Sequence, residues 1–204
     1  MEKKVILITV DGMRPDGFLA CGNPYGAEMM KKGSYTLAGA SVVPPVTLPC
    51  HLSLFQSVQP VRHGVLTNTY IPPVHAINGL FEQLHNAGKT AAMFYAWEPI
   101  RQVSTPKSLT FAEYAWAYAL DNIRRSLETC GDRYDVIVTA DHGGHDRTHG
   151  LDIPEDMTIP MFFFDSDFEP GAQLENVGLL DLAPTIAKLI GVPPAREWEG
   201  RSIV

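Results

Sequence analysis

Short apolar runs alternate with amphipathic stretches along most of this chain. The apolar runs are rich in β-branched and aromatic residues and end at turn-forming residues, as VILITV does at Asp11-Gly12, and this pattern predicts strands. The stretches between them place apolar residues at helical spacing, which predicts helices. The predicted strands are residues 5–10, 36–43, 90–97, 134–140 and 158–165, and the predicted helices are 24–33, a helix from 47, 77–87, 111–128 and 179–191.

The order of these elements predicts the fold class. Strands that alternate with helices build βα units, and such units form a mainly parallel sheet covered by helices. The length of 204 residues suits one domain with a core of its own. The sequence therefore predicts a single α/β domain over residues 1–204.

Composition and charge exclude several classes of function. Hydrophobic residues make up 45% of the chain, as in globular proteins, and the net charge is −7 without a basic run that could follow a phosphate backbone. No apolar stretch approaches the roughly 20 residues of a membrane span, and the first apolar run has the length of a strand instead of a signal peptide. We therefore expect neither nucleic acid nor a membrane as the main partner.

The cysteines indicate a reducing compartment. Their number is odd and none stands in a CxxC pair, so neither a disulfide framework nor a thiolate zinc site is predicted. They are Cys21, Cys50 and Cys130. On this basis we expect a cytoplasmic protein.

Polar side chains follow three of the predicted strands. Asp11 comes directly after the first strand, Thr47 follows the second strand and two prolines, and the segment TADHGGHDRTHG follows the apolar run YDVIV. Ligands of open α/β sheets bind beyond the carboxyl ends of the strands. The three segments are therefore expected to bring their polar groups to one edge of the sheet.

These polar groups have the chemistry of a metal site. Aspartate and neutral histidine suit zinc, or manganese where oxygen ligands dominate. Taken alone, Asp11 before a glycine is typical of a plain turn, and His149 before a glycine is typical of a loop histidine. The number of acidic and imidazole side chains in the short third segment favours a metal site over a merely polar loop. Its acidic and imidazole side chains are Asp141, His142, His145, Asp146 and His149.

Thr47 has two interpretations that the residues alone leave open. It could be only the N-cap of a helix that carries Pro49 in its first turn. It could instead be a nucleophile, because the free N–H groups and the dipole at a helix N-terminus favour an alkoxide and an anionic phosphate. A bound cation would lower the pKa of the hydroxyl further.

Four segments resemble the alkaline phosphatase superfamily, and most closely its nucleotide pyrophosphatase/phosphodiesterase branch. VILITVDGMRPD resembles the family's first strand with its metal-binding aspartate, and TADHGGHDRTHG resembles its Asp-His-Gly and Thr-His-Gly signatures. PPVTLPCHLSLFQSVQPVRHGVLTN is similar to the nucleophile segment, and DLAPTIAKLIGVPPAREWEGRSI is similar to a tail that sulfatases share. Together they span most of the chain. They imply a shortened three-layer sandwich with helices on both faces of a mainly parallel sheet.

The resemblance implies a metal-dependent hydrolase of phosphoric diesters or monoesters with a threonine nucleophile. Thr47 would be the attacking oxygen, and water would then hydrolyse the phospho-threonine. The ligands of the first metal, by preference zinc, would be Asp11, Thr47, Asp141 and His142. His149 would belong to a second metal, and two cations about 4 Å apart would clamp the attacking and leaving oxygens.

Two features depart from the family pattern. The family supplies an Asp-x-x-x-His pair to its second metal, but no histidine stands between His85 and Asp141, so a strand with its ligand loop is expected to be missing. His145 and Asp146 could stand in, and we expect one tight metal site and a second that is weak or empty. Cys50 stands where this branch commonly has an asparagine beside the substrate, and a thiol is a weak donor.

Two other functions stay open at this point. The chain could be a binding protein that has lost catalysis together with its second metal site, or a relative of the metal-dependent phosphomutases, which share the fold and its Asp-His clusters. The retained Thr47 and the complete first site favour the hydrolase, whose partner would be a small phosphate ester. A missing strand would leave an unpaired sheet edge or an exposed apolar patch, so a homodimer is expected.

Overall fold

The computed structural model describes residues 3–72, 76–114, 123–125, 128–129 and 133–204. The strands in these ranges are β1 Val5–Thr9, β2 Ser34–Ala40, β3 Ala92–Tyr95, β4 Phe111–Tyr114, β5 Asp135–Thr139 and β6 Thr158–Phe164. The α-helices whose two ends both lie in these ranges are α1 Pro15–Ala20, α2 Pro24–Lys32, α3 Thr47–Gln56, α4 Pro60–His63, α5 Leu80–Asn86, α6 Pro154–Met157 and α7 Leu182–Ile190. Glu98–Val103 and Leu179–Asp181 form 3₁₀ turns. Within the described ranges, the helices are all too short or too polar to cross a membrane.

The central sheet confirms the α/β class but is mixed and not mainly parallel in its pairing. Its strands lie in the order β1-β5-β6-β2. β1 pairs with β5 in parallel, whereas β6 pairs antiparallel with both β5 and β2. β1, β5 and β2 therefore run in one direction, and β6 runs against them. The connection from β5 to β6 holds only the short α6, so the chain turns back at one edge of the sheet and makes no helical crossover, which a parallel pair usually needs.

Helices cover both faces of this sheet, as the three-layer prediction requires. Along β5 the side chains alternate, so that Ile137 packs in one core while Val136 and Val138 pack in the other. The first core lies against α3, α5 and α7, and the second lies against α1 and α2. On β6, Phe163 and Phe162 divide between the two cores in the same way, and both are fully buried.

The predicted helix at 111–128 is wrong at its start. Phe111–Tyr114 is strand β4, which pairs in parallel with β3 as a separate two-stranded sheet. Cross-strand aromatic pairs stabilise this arrangement: Phe94 lies 5.6 Å from Phe111, and Tyr95 lies 5.9 Å from Tyr114, between ring centroids. Residues 123–125 and 128–129 are helical, as predicted. The rest of that prediction, and Cys130, lie outside the described residues.

The strand directions bring three loops to one edge of the central sheet. β1, β5 and β2 all end there, and β6 begins there, with Ala40 opposite Thr158 and Thr139 opposite Met161. The loop after β1 carries Asp11, the loop after β5 begins at residue 140, and the loop after β2 leads into α3. This edge therefore holds the predicted polar segments.

Candidate active site

Thr47 is the first residue of α3 and does not cap it. Val46 takes the extended N-cap conformation, with φ −124° and ψ 140°, and its side chain makes no capping hydrogen bond. Thr47 is 6% exposed, and its Oγ1 lies 3.1 Å from His142 Nε2. The N-cap interpretation of Thr47 is therefore wrong, and its hydroxyl is directed across the site to the loop after β5.

The ring of His142 presents a lone pair to the site. Its Nδ1 lies 2.7 Å from the carbonyl oxygen of Gly143, which can only accept, so Nδ1 carries the hydrogen. Nε2 is then the acceptor nitrogen of the neutral ring. It faces Thr47 Oγ1 at 3.1 Å, Asp141 Oδ2 at 3.3 Å and Asp11 Oδ1 at 3.8 Å. Two of these three neighbours are carboxylate oxygens, which have no hydrogen to donate when ionised.

Asp141 is a fully buried carboxylate with one oxygen unsatisfied. Its Oδ1 accepts the N–H of Gly12 at 3.1 Å, whereas its Oδ2 has no hydrogen bond among the described residues. Gly12 has φ +65°, a left-handed conformation that glycine adopts without strain, and this turn directs its N–H at Asp141. A buried carboxylate oxygen that faces a lone pair is costly unless a cation lies between them.

Asp11 completes a group that fits a divalent cation. Ligand atoms of Asp11, Asp141 and His142 all lie within 4.8 Å of one another. Ligand bonds of about 2.1 Å in tetrahedral geometry place ligand atoms about 3.4 Å apart, close to the spacing around His142 Nε2. The Asp11 side chain is 62% exposed, so the group opens to solvent on that side. Partial desolvation, followed by the charge of Asp141, raises the pKa of the Asp11 carboxyl above 3.8.

His149 lies against this group without belonging to it. Its ring stacks on that of His142, with centroids 4.0 Å apart and planes at 18°, and its Nδ1 donates to Pro45 O at 3.0 Å. Within the described part of the chain, no second group of acidic and imidazole ligands forms around it. The second metal site therefore stays a prediction.

The two proposed stand-in ligands have other positions in the structure. His145 Nδ1 lies 2.7 Å from Asp156 Oδ1, so a carboxylate outside the cluster holds this ring. Asp146 is exposed, with φ +48°, in a turn closed by reciprocal backbone hydrogen bonds between His145 and Thr148. Neither residue joins His149 in a ligand group.

Asp156, which sequence reasoning missed, fixes the loop after β5. Its Oδ1 accepts from His145, its Oδ2 accepts from Leu151 N at 2.8 Å, and its carbonyl accepts from Gly143 N at 2.7 Å. Burial would raise the pKa of Asp156, but these side-chain hydrogen bonds outweigh it and hold the pKa below 3.8. A Cβ on Gly143 would collide with Glu155 O, which explains the glycine after Asp141-His142. The only signal in the sequence was an acidic pair in IPEDM.

Cys50 has no exposed surface, whereas a position beside the substrate was expected. Its side chain is fully buried beneath α3, with Sγ 3.4 Å from Ser41 Oγ, and burial raises the pKa of the thiol to about 12. A side-chain amide next to Thr47 in the chain fold comes from Asn68, whose Oδ1 accepts the N–H of Leu48, the residue after Thr47, at 3.0 Å. Asn68 follows the His-Gly of the nucleophile segment, which was the available signal.

The sequence profile of the type I phosphodiesterase / nucleotide pyrophosphatase family matches residues 5–123. The chain belongs to this family. The matched range contains Asp11, Thr47 and Asn68 and ends before Asp141 and His142, so the second part of the candidate site lies outside the match. This membership supports an enzyme that hydrolyses phosphoric esters.

Solved structures share the fold of this phosphodiesterase family member at low sequence identity. A phosphonate monoester hydrolase from Silicibacter pomeroyi has a TM-score of 0.80 at 12% identity, over 99% of this chain and 76% of that one. An inactive variant of murine ectonucleotide pyrophosphatase/phosphodiesterase 5, in complex with AMP, has a TM-score of 0.72 at 12% identity, over 95% and 96%. A 2-O glycosaminoglycan sulfatase has a TM-score of 0.77 at 12% identity, over 100% and 73%.

Proposed function

We propose that this chain is a divalent-metal-dependent hydrolase of phosphoric esters with Thr47 as the nucleophile. The observation that carries the proposal is the position of Thr47 Oγ1, 3.1 Å from His142 Nε2 at the mouth of a carboxylate and imidazole group. The Thr47 hydroxyl is buried and does not cap a helix. A structural role therefore does not explain why it points at these ligands. Family membership points to the same class of reaction.

Asp11, Asp141 and His142 would hold the cation, with zinc preferred and manganese the alternative where oxygen dominates. When bound, the cation would lower the pKa of a nearby hydroxyl and neutralise charge that develops on the phosphoryl group. The unsatisfied Oδ2 of Asp141 supports this assignment, because the cation would supply the missing partner. The described residues favour one tightly held cation.

The reaction would proceed by two displacements at phosphorus. The Thr47 hydroxyl gives its proton to solvent, and its oxygen forms a bond to phosphorus while the bond to the leaving oxygen breaks. The leaving alcohol keeps that electron pair and takes a proton from solvent. Water then attacks the phospho-threonine, which restores the hydroxyl and releases the phosphate product.

The N-terminus of α3 would contribute less to phosphate binding than the sequence suggested. Leu48 N–H already donates to Asn68 Oδ1, and Pro49 has no N–H. Since Asn68 uses its oxygen for the helix, its amide nitrogen is the atom that can donate to a ligand. We assign that nitrogen to a phosphoryl oxygen of the substrate.

The experiment measures metal content and turnover on one preparation. Zinc and manganese per chain are determined after dialysis, and hydrolysis of bis-p-nitrophenyl phosphate and p-nitrophenyl phosphate is followed with and without added metal. We expect about one tightly bound metal per chain and metal-dependent release of nitrophenol. The release should be slower than in a two-metal enzyme, because one of the two cations that would stabilise the attacking and leaving oxygens is lacking.

Other outcomes would favour the alternative functions. Metal binding without turnover of either ester would favour the binding-protein alternative, and transfer of phosphate between hydroxyls of one sugar would favour the phosphomutase. A small phosphate ester as partner, a homodimer and a cytoplasmic location remain parts of the proposal.

A further inference from the structure

His51 lies at the centre of the site and was not assigned a role by the sequence. It belongs to α3, one turn after Thr47, and is 5% exposed. Its Nδ1 lies 2.8 Å from Thr47 O, and a carbonyl only accepts, so Nδ1 carries the hydrogen. Nε2 is then an acceptor, and Thr9 Oγ1 lies 3.4 Å from it. The ring therefore bridges the end of β1 and the first turn of α3.

The same ring nitrogen of His51 also lies near the unsatisfied oxygen of Asp141. Its Nδ1 lies 3.5 Å from Asp141 Oδ2, longer than an ideal hydrogen bond, so the contact is mainly electrostatic. Asp141 Oδ1 is already held by Gly12 N–H at 3.1 Å. One oxygen of the carboxylate is thus fixed by the loop after β1, while the polar edge of the His51 ring lies 3.5 Å from the other.

We infer that His51 is a positioning residue, which orients Asp141 for the cation and holds Thr47 beside it. This inference rests on the proposed function, because it concerns the same metal ligands. The residue acts through Asp141 and Thr47, and it has no contact of its own with substrate. Partners behind metal ligands fix the orientation of those ligands, and their loss typically weakens metal binding by about 10–100-fold.

A second buried histidine in the same region provides a matched control. His63 is 2% exposed, and its Nδ1 accepts from Val65 N at 3.2 Å, so Nε2 donates to Ser53 Oγ at 3.1 Å. It shares with His51 a buried imidazole ring that contacts α3. It has no contact with Asp141 or Thr47 in the described structure, so its replacement should affect folding without affecting the metal ligands.

The experiment compares zinc affinity, by chelator competition, with the free energy of unfolding in urea for His51→Leu, His51→Asn, His51→Gln and His63→Leu. His51→Leu should lose at least about tenfold in zinc affinity. His51→Asn should recover most of it, because the amide nitrogen of asparagine occupies the place of Nδ1, whereas His51→Gln puts its amide nitrogen near the place of Nε2 and should recover little. His63→Leu should be destabilised and keep the wild-type affinity. Unchanged affinity in a folded His51→Leu, or equal losses in the Leu and Asn variants, would overturn the inference.

A measurement on the metal-free protein separates this inference from the proposed function. The ¹⁵N chemical shifts of His51 should report the Nδ1–H tautomer, and the resonance should move in Asp141→Asn. An Nε2–H tautomer, or no response to Asp141→Asn, would refute the role of His51 even if the wild type binds zinc. Conversely, a wild type that binds no cation would refute the proposed metal site, while the tautomer would still decide whether His51 faces Asp141.

Discussion

Thr47 Oγ1 lies 3.1 Å from His142 Nε2 although the two residues are 95 positions apart in the chain. The contact follows from strand direction. β2 and β5 end at the same edge of the sheet, so the loop into α3 meets the loop after β5 there. The contact between Thr47 and His142 thus joins residues 5–123, which the family profile matches, to the part of the chain that follows them.

Zinc should stabilise the wild type through Asp11 and Asp141. A ligand that binds only the folded state stabilises it by about 2.7 kcal/mol at a concentration of 100 times Kd. Asp11→Asn combined with Asp141→Asn should remove this zinc-dependent gain, because two of the three ligands lose their charge. Thermal unfolding with and without zinc measures the gain. An equal gain in wild type and double variant would show that the cation binds elsewhere.

Thr47→Ala should remove turnover and leave stability almost unchanged. The alcohol is the proposed attacking group, so we expect a loss of at least about 10³-fold in kcat. The stability cost should stay below the roughly 1 kcal/mol of a lost N-cap, because Thr47 caps nothing. Thr47→Ser should retain part of the activity, and Thr110→Ala, an exposed threonine outside the site, should retain all of it. Wild-type turnover in Thr47→Ala would exclude the nucleophile role.

Acid should destabilise the fold through His63. Burial lowers the pKa of this imidazole from 6.5 to about 4. Because the folded pKa lies below the unfolded one, the unfolded chain binds the proton more readily between these values. The contribution of the neutral His63 ring to the free energy of unfolding is therefore complete above pH 6.5. It is lost as the pH falls towards 4, by at most about 3 kcal/mol. Urea unfolding from pH 8 to pH 4 should show a shallower decline in His63→Gln than in wild type, and parallel declines would contradict the assignment.

The aromatic residues of the β3–β4 sheet should promote self-association. Phe94 and Phe111 are 66% and 48% exposed, and their rings form one apolar surface on this small sheet. A second copy related by a two-fold axis would bury the same surface on both chains. Sedimentation should show a concentration-dependent dimer that Phe94→Ser with Phe111→Ser weakens. Val61→Ser, which changes an exposed valine on α4, should have no effect. A wild type that stays monomeric at high concentration would contradict this.

The sequence predicted those features that local patterns determine. The alternation of strands and helices indicated a sheet covered by helices, and polar residues after strand ends indicated the group of Asp11, Asp141 and His142. It could not predict the direction of β6, because an apolar run reads the same for either direction. The start of 111–128 has helical spacing, yet pairing with β3 decides its structure. Asp156 was missed because its partners depend on how the loop after β5 folds back.

The turn between His145 and Thr148 offers a place to build new specificity. Its reciprocal backbone hydrogen bonds, 3.0 and 2.9 Å long, close it below an exposed tip. Asp156 anchors the loop on either side, at His145 and at Leu151 N. Residues grafted between Asp146 and Arg147 would therefore extend from a closed base and leave His142 and His149 in position. A library of inserts at this tip is a direct way to add contacts to a chosen ester substrate.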